Sequence, residues 1–126
     1  MNILLVAGEH PRFASEGYLE ECTRRVHAVV PSISLEVGPM EEAAYRGMVE
    51  AGAEGLVVYQ ETYDRDRYAE LHTAGPKKDF DWRVTAMDRA MQGGIDDVGI
   101  GVLFGLFDWR FEVLAMLQHI RHLEKT

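Results

Sequence analysis

The sequence predicts an α/β fold in which four consecutive βα units surround a parallel sheet, a partial (β/α) barrel of the TIM type that occupies residues 1–126 as one domain. Three observations carry that prediction. Short apolar runs rich in Val, Ile and Leu alternate with longer segments of helical pattern. No two-residue hairpin turn joins any pair of the runs. Polar clusters follow the third run and glycines punctuate the fourth, where parallel folds gather their chemistry at the carboxyl ends of strands.

The elements follow in order. Ile3–Val6 is continuous and apolar, as expected of a strand covered on both faces. A helix is expected from about Phe13 to Val30, with Leu19, Val26, Val29 and Val30 as its apolar residues, and Pro31 stops it. Ile33–Val37 is the second strand, punctuated by Gly38-Pro39, and Glu41–Ala51 the second helix, with Gly52 at its C-terminal stop. Leu56–Tyr59 is the third strand. The following link is longer, with a short helix at Asp66–Leu71, a Gly75-Pro76 break and a single helix over Asp81–Met91 closed by Gly93-Gly94. Val98–Leu103 is the fourth strand. Asp108–Leu123 completes the series as an amphipathic helix whose buried face is expected to include Phe111, Leu114, Ala115 and Leu117.

Two architectures fit this order: a small doubly wound sheet, or half of an eight-stranded barrel, which in full needs about 250 residues. The chain begins almost inside a strand and stops at Glu124-Lys125-Thr126 without a helix-ending glycine or proline, so the expectation is a piece of a longer barrel.

Composition narrows the function classes. Thirteen basic and 21 acidic residues leave a net charge of −8, the wrong sign for a phosphate-backbone partner, so no nucleic acid is expected; an anionic membrane surface is disfavoured for the same reason. No apolar run approaches the roughly 18 residues of a membrane span. Cys22 is the only cysteine, which excludes an internal disulfide framework and a thiolate metal site within the chain and suggests a reducing, cytoplasmic setting. It is read as a packing residue on a helix. His119 and His122 lack a third metal ligand and are read as surface or helix-end residues.

Four segments could carry chemistry. Gly8-Glu9 follows the first strand, where a glycine lets a ligand near the backbone and Glu9 can accept from an ammonium; a turn glycine and a solvated acid explain them at least as well. Gln60-Glu61-Thr62 ends the third strand, a place from which a carboxylate can take vicinal ribose hydroxyls. Thr62 or Asp64 could also cap the next helix. Arg83 offers a bidentate fork for a carboxylate, although without further information it reads as a surface arginine beside a packed Trp82. Lys77-Lys78 reads as a solvated loop. Gly99-Ile100-Gly101, with Gly105 beyond, lets a flat ring such as adenine lie along the backbone; tight helix–sheet packing explains it equally well. Tyr59, Tyr63 and Tyr68 are read as wall and core residues.

The strings VAGEH, YQETYDRDRYAELHTAGPKKDFDWR and GIDDVGIGVLFGL resemble the radical S-adenosylmethionine (SAM) tyrosine lyases, the family of the 2-iminoacetate synthase of thiamine biosynthesis and its relative in FeFe-hydrogenase maturation. SLEVGPMEEAAYRGMVEAG leans towards the thiamine enzyme, while GIDDVGIGVLFGLFDW resembles the maturase as much. The resemblance implies a barrel in which a 4Fe–4S cluster cleaves SAM, and the resulting radical splits the Cα–Cβ bond of L-tyrosine to 2-iminoacetate and p-cresol. It implies that Ala7-Gly8-Glu9 receives the methionyl ammonium, Glu61 the ribose hydroxyls, with Gln60 beside it, Arg83 the methionyl carboxylate, and Gly99–Leu103 the adenine. It covers the family's strands two to five only. The family's Cys-x3-Cys-x2-Cys is absent, so the isolated chain is expected to be inactive and to hold no catalytic or metal-ligating residue of its own. A non-catalytic half-barrel that self-associates or completes a partner is the alternative.

Overall fold

The computed structural model describes residues 1–10 and 12–126. Strand β1 (Asn2–Val6) leads to helix α1 (Glu16–His27), β2 (Ser32–Glu36), α2 (Glu42–Glu50) and β3 (Gly55–Glu61). Helix α3 (Arg65–Leu71), a 3-10 turn at Pro76–Lys78, α4 (Phe80–Val84) and α5 (Ala86–Gln92) precede β4 (Asp97–Val102) and α6 (Trp109–Leu123).

Each βα unit forms for local reasons. Helix α1 starts three residues later than expected because the amides of Phe13 and Ala14 turn back onto the His10 carbonyl, and Ser15 caps the helix by accepting from the Tyr18 amide. It ends at His27 instead of Val30, where the Val29 and Val30 amides both turn back onto the Val26 carbonyl. Gly52 adopts φ 111° at the end of α2, the left-handed stop its sequence position announces, and a Cβ there would strike the His27 ring. The single helix expected over Asp81–Met91 is broken at Thr85 (φ −94°, ψ 9°). The Thr85 hydroxyl bonds back to the Asp81 carbonyl at 2.7 Å, the competition with helix geometry that hydroxyl side chains offer. Arg89 stitches the break by donating to the Trp82 and Met40 carbonyls.

The sheet order is β1-β2-β3-β4 and every pair is parallel. A doubly wound sheet reverses its order at a switch point; here each crossover steps the same way. Consequently α1, α2, α5 and α6 all feed one core, where Leu19, Val26, Tyr45, Met48, Met87, Ala90 and Leu123 meet Ile33, Leu35, Leu56 and Val58 of the sheet. The opposite face carries Leu4, Val6 and Tyr59 at 47, 67 and 47 % exposure. That arrangement is an arc of a (β/α) barrel with its inner face open, and it rejects the doubly wound alternative.

One expectation about the core fails. On α6 the buried residues are Glu112 and Leu123, whereas Phe111, Leu114 and Leu117 are 42, 62 and 49 % exposed. The helix reaches the core through its other side, and Phe111 and Leu114 instead line a groove of about 560 Å³ with Phe80 and Val84 of α4. Among the described residues no helix is long and apolar enough to cross a membrane.

Candidate functional site

The carboxyl ends of β1, β2 and β3, the Gly75–Lys77 loop and Arg83 surround a cleft of about 450 Å³. Glu9 enters from the loop after β1. Its side chain crosses directly over Gly38, where a Cβ would lie 2.1 Å from the Glu9 Cγ, so the second strand must end in a bare backbone for Glu9 to reach the cleft. Gly8 also lines the cleft, with open space where its Cβ would stand.

Glu61 ends β3 in an unusual way. The register with β4 slips between Tyr59 and Glu61, a bulge that bends the strand and re-aims its last residues. Glu61 is the only non-glycine residue with positive φ (72°) among the described residues. Such a conformation costs on the order of 1–3 kcal/mol and persists only where the surroundings over-determine it. Here the Leu103 amide donates to the Glu61 carbonyl at 2.8 Å, and Arg83 Nε donates to the Tyr59 carbonyl at 2.7 Å.

Arg83 ties the cleft together. Its side chain is 10 % exposed, Nη1 lies 3.2 Å from Glu9 Oε1, and Nη2 lies 3.5 Å from Glu61 Oε1. It is therefore no surface arginine snorkelling beside Trp82; the guanidinium stacked on that indole, at 3.7 Å, belongs to Arg89. Lys77 corrects a second reading, since its Nζ pairs with Glu61 Oε1 at 2.6 Å instead of ending in solvent. Tyr68 anchors that lysine's backbone by donating to the Lys77 carbonyl at 2.5 Å, and burial pushes the Tyr68 phenol up to about 12. Two carboxylates and two cations thus pair among themselves. A ligand carrying ammonium, carboxylate and diol groups can replace each of these partners with one of like charge or polarity.

The remaining candidates divide. Gly99 and Gly101 lie on the open face, beside Val57 and Tyr59 of the neighbouring strand, where a Cβ on Gly101 would come within 2.9 Å of the Tyr59 ring. Helix–sheet packing therefore does not explain these two glycines, because the helices lie on the other face. Ile100 sends its side chain into the core, leaving only its backbone to the open face. Gln60 is 3 % exposed, does not line the cleft, and has no partner for either amide atom. Asp64, not Thr62, caps α3 by accepting from the Arg67 amide at 2.8 Å.

Thr62 belongs to a network that sequence patterning does not reveal. Its hydroxyl donates to the buried Glu112 Oε1, while the Tyr63 amide donates to Glu112 Oε2 at 2.9 Å. Tyr63 Oη meets His119 Nδ1 at 2.7 Å. His119 is accordingly half-buried and no surface residue, and burial holds its pKa below the usual histidine range. Burial, then the Glu112 charge, raises the Tyr63 phenol.

The fold and cleft define the class: an arc of a parallel barrel with a charge-paired cleft at its carboxyl rim. The particular relatives agree. The chain is 36% identical over 125 residues to the 2-iminoacetate synthase of Escherichia coli (strain K12), a match covering 98% of this chain and 33% of that protein. It superposes with a TM-score of 0.95 on the crystal structure of HydG, a maturase of the FeFe-hydrogenase, at 36% identity over 99% of this chain and 29% of that one. Methylornithine synthase (PylB) matches with a TM-score of 0.77 at 27% identity, over 97% of this chain and 36% of that one. No family model matches the chain. The resemblance to the tyrosine lyases read from the sequence is thus borne out, and the chain spans about a third of the length of the curated relatives it matches.

Proposed function

We propose that the chain is the S-adenosylmethionine-binding central part of a radical SAM lyase that cleaves the Cα–Cβ bond of L-tyrosine to 2-iminoacetate and p-cresol. The observation that carries this reading is Arg83 bridging Glu9 and Glu61 in one cleft at the strand ends. In the bound state Arg83 takes the methionyl carboxylate as a charge-assisted pair, and Glu9, beside the Gly8 backbone, takes the ammonium. Glu61 accepts from the ribose hydroxyls, released from Lys77. The backbone of Gly99, Ile100 and Gly101 runs beside the adenine. In this scheme the chain's residues bind and orient.

A 4Fe–4S cluster does not fit the residues of this chain. Cys22 is the single cysteine and lies on α1, and among the described residues no group of three His, Cys, Asp or Glu is arranged to hold a metal. The cluster ligands and the tyrosine contacts belong to a part of the full-length enzyme outside this sequence, and the isolated chain does not cleave SAM. The thiamine pathway is the first assignment, from the similarity to 2-iminoacetate synthase. The TM-score of 0.95 to HydG favours the same lyase step in hydrogenase maturation as the second. The lone cysteine fits a cytoplasmic setting. The apolar open face, with Leu4 and Val6 exposed, suits association with a second copy or a partner half-barrel.

The test is a nitrogen-15 NMR titration of the 126-residue chain with SAM. Shifts centred on Gly8, Glu61, Arg83 and Gly101, weakened in Glu61→Gln and Arg83→Gln, are the expected result. Absence of any shift at millimolar ligand refutes the assignment, and sedimentation of the same sample as a dimer, without such shifts, supports the half-barrel reading in its place.

A further inference from the structure

Glu61 presents its carboxylate from a left-handed backbone that a glutamate does not adopt unaided. The residues immediately after it are tied to one side chain fifty positions away, Glu112 on the first turns of α6. Glu112 is fully buried and does not line the cleft. Its Oε1 accepts from the Thr62 hydroxyl and its Oε2 from the Tyr63 amide at 2.9 Å. The Thr62 oxygen in turn accepts from the Asp64 amide at 3.1 Å. Every residue from 62 to 64 is therefore fixed by a hydrogen bond that starts from, or relays, this one carboxylate.

A buried charge is a poor way to add general stability, because an apolar side chain of similar volume serves as well or better. Its use here is conformational. None of the ion pairs among the described residues includes Glu112, so its carboxylate answers only to the neutral donors of the 62–63 segment. The N-terminus of α6 does not need it either, since Asp108 already caps that helix.

We propose that Glu112 is a positioning residue for the cleft: by clamping Thr62 and Tyr63 it imposes the left-handed backbone at Glu61 and so aims the Glu61 carboxylate at the bound ligand. The identity of that ligand rests on the assignment of the cleft to SAM; the effect on the Glu61 backbone does not.

The experiment compares the wild-type chain with Glu112→Gln, Glu61→Gln and the double variant by NMR, with two measurements. The first is hydrogen exchange at the Leu103 amide, which donates to the Glu61 carbonyl. The second is the dissociation constant for SAM. In Glu112→Gln, Leu103 exchange accelerates while the amides of β2 keep their rates. Affinity falls about tenfold, within the coupling range of residues that act through one another, and falls no further when Glu61→Gln is already present. Unchanged Leu103 exchange, or acceleration shared equally by β2, overturns the proposal. So does an equal loss of affinity with and without the Glu61 carboxylate. If the wild-type chain binds no SAM, the ligand assignment falls, and Leu103 exchange alone decides the role of Glu112. If Glu112→Gln fails to fold, Thr62→Val removes one of the two donors and is judged by the same outcomes, with Thr62→Ser, which keeps the hydroxyl, restoring wild-type exchange.

Discussion

Replacing Glu61 by glycine and, separately, by alanine isolates the strain at the end of β3. Both substitutions remove the carboxylate, and with it the contacts to Lys77 and Arg83. The lost ion pairs, the shorter of which involves a lysine 41 % exposed, therefore cancel in the comparison. What differs is the backbone. At φ 72° an L-residue carries a penalty of roughly 1–2 kcal/mol that glycine escapes. Against this, glycine loses about 0.5–1 kcal/mol of extra chain entropy on folding. The balance makes Glu61→Gly the more stable variant by about 0.5–1 kcal/mol, the reverse of the order at an ordinary strand position. Urea unfolding with matched slopes measures the difference directly. Should Glu61→Ala prove the more stable of the two, Glu61 is not strained, and the argument that the surroundings hold it against its preference is refuted.

Three further outcomes rest on the same geometry. Gly38→Ala places a methyl 2.1 Å from the Glu9 Cγ and displaces that side chain from Arg83; a stability loss of about 1 kcal/mol, visible in the urea midpoint, accompanies weaker SAM binding in the NMR titration. Tyr68→Phe removes the donor to the Lys77 carbonyl and costs about 1 kcal/mol, while in the wild type an ultraviolet titration finds a tyrosine that resists ionisation to about pH 12. His119, whose folded pKa is depressed by burial, binds its proton more readily when unfolded; its neutral form contributes full stability above pH 6.5, and that contribution is lost as pH falls through the lower folded value. Urea midpoints measured across this window decline towards acid, and His119→Gln flattens the decline.

The alternation of apolar runs with helical segments made the four βα units legible, because side-chain periodicity and punctuation by Gly and Pro are local properties. Their order in the sheet, which separates a barrel arc from a doubly wound sheet, is not a property of periodicity; the barrel expectation came from the family resemblance and the placing of the first strand, and the observed order bears it out. Glu9 and Glu61 were candidates because each follows a strand, and Arg83 entered only through the family resemblance; their meeting at one guanidinium is a tertiary fact. Lys77 was lost for the opposite reason. A lysine in a polar loop carries the same local pattern whether it meets solvent or a carboxylate, and only the fixing of its carbonyl by Tyr68, nine positions earlier, decides between them. Glu112 was invisible because its partners Thr62 and Tyr63 are fifty and forty-nine positions away, and a lone glutamate on an amphipathic helix ordinarily faces water. The misassigned face of α6 has the same origin: the pattern identified an apolar stripe, but not which side of the helix meets the core.

The pairing inside the cleft also bears on which ligands it can accept. Arg83 and Lys77 neutralise Glu9 and Glu61 at a site where Arg83 and Glu61 are largely withdrawn from water. A simple anion that captured Arg83 would leave Glu9 without its partner, and a simple cation that captured Glu9 would weaken the hold on Arg83; removing one member of a desolvated pair costs more than the new contact returns. A zwitterion avoids both losses, because its carboxylate replaces Glu9 on the guanidinium while its ammonium replaces the guanidinium on Glu9. A diol at Glu61 extends the same logic, since it supplies two neutral donors to a carboxylate that Lys77 can leave for solvent through the exposed part of its side chain. On the proposed assignment, an amino acid joined to a ribose suits the cleft because it re-partners Arg83, Glu9 and Glu61 together and releases only Lys77, the most exposed of the four, to water.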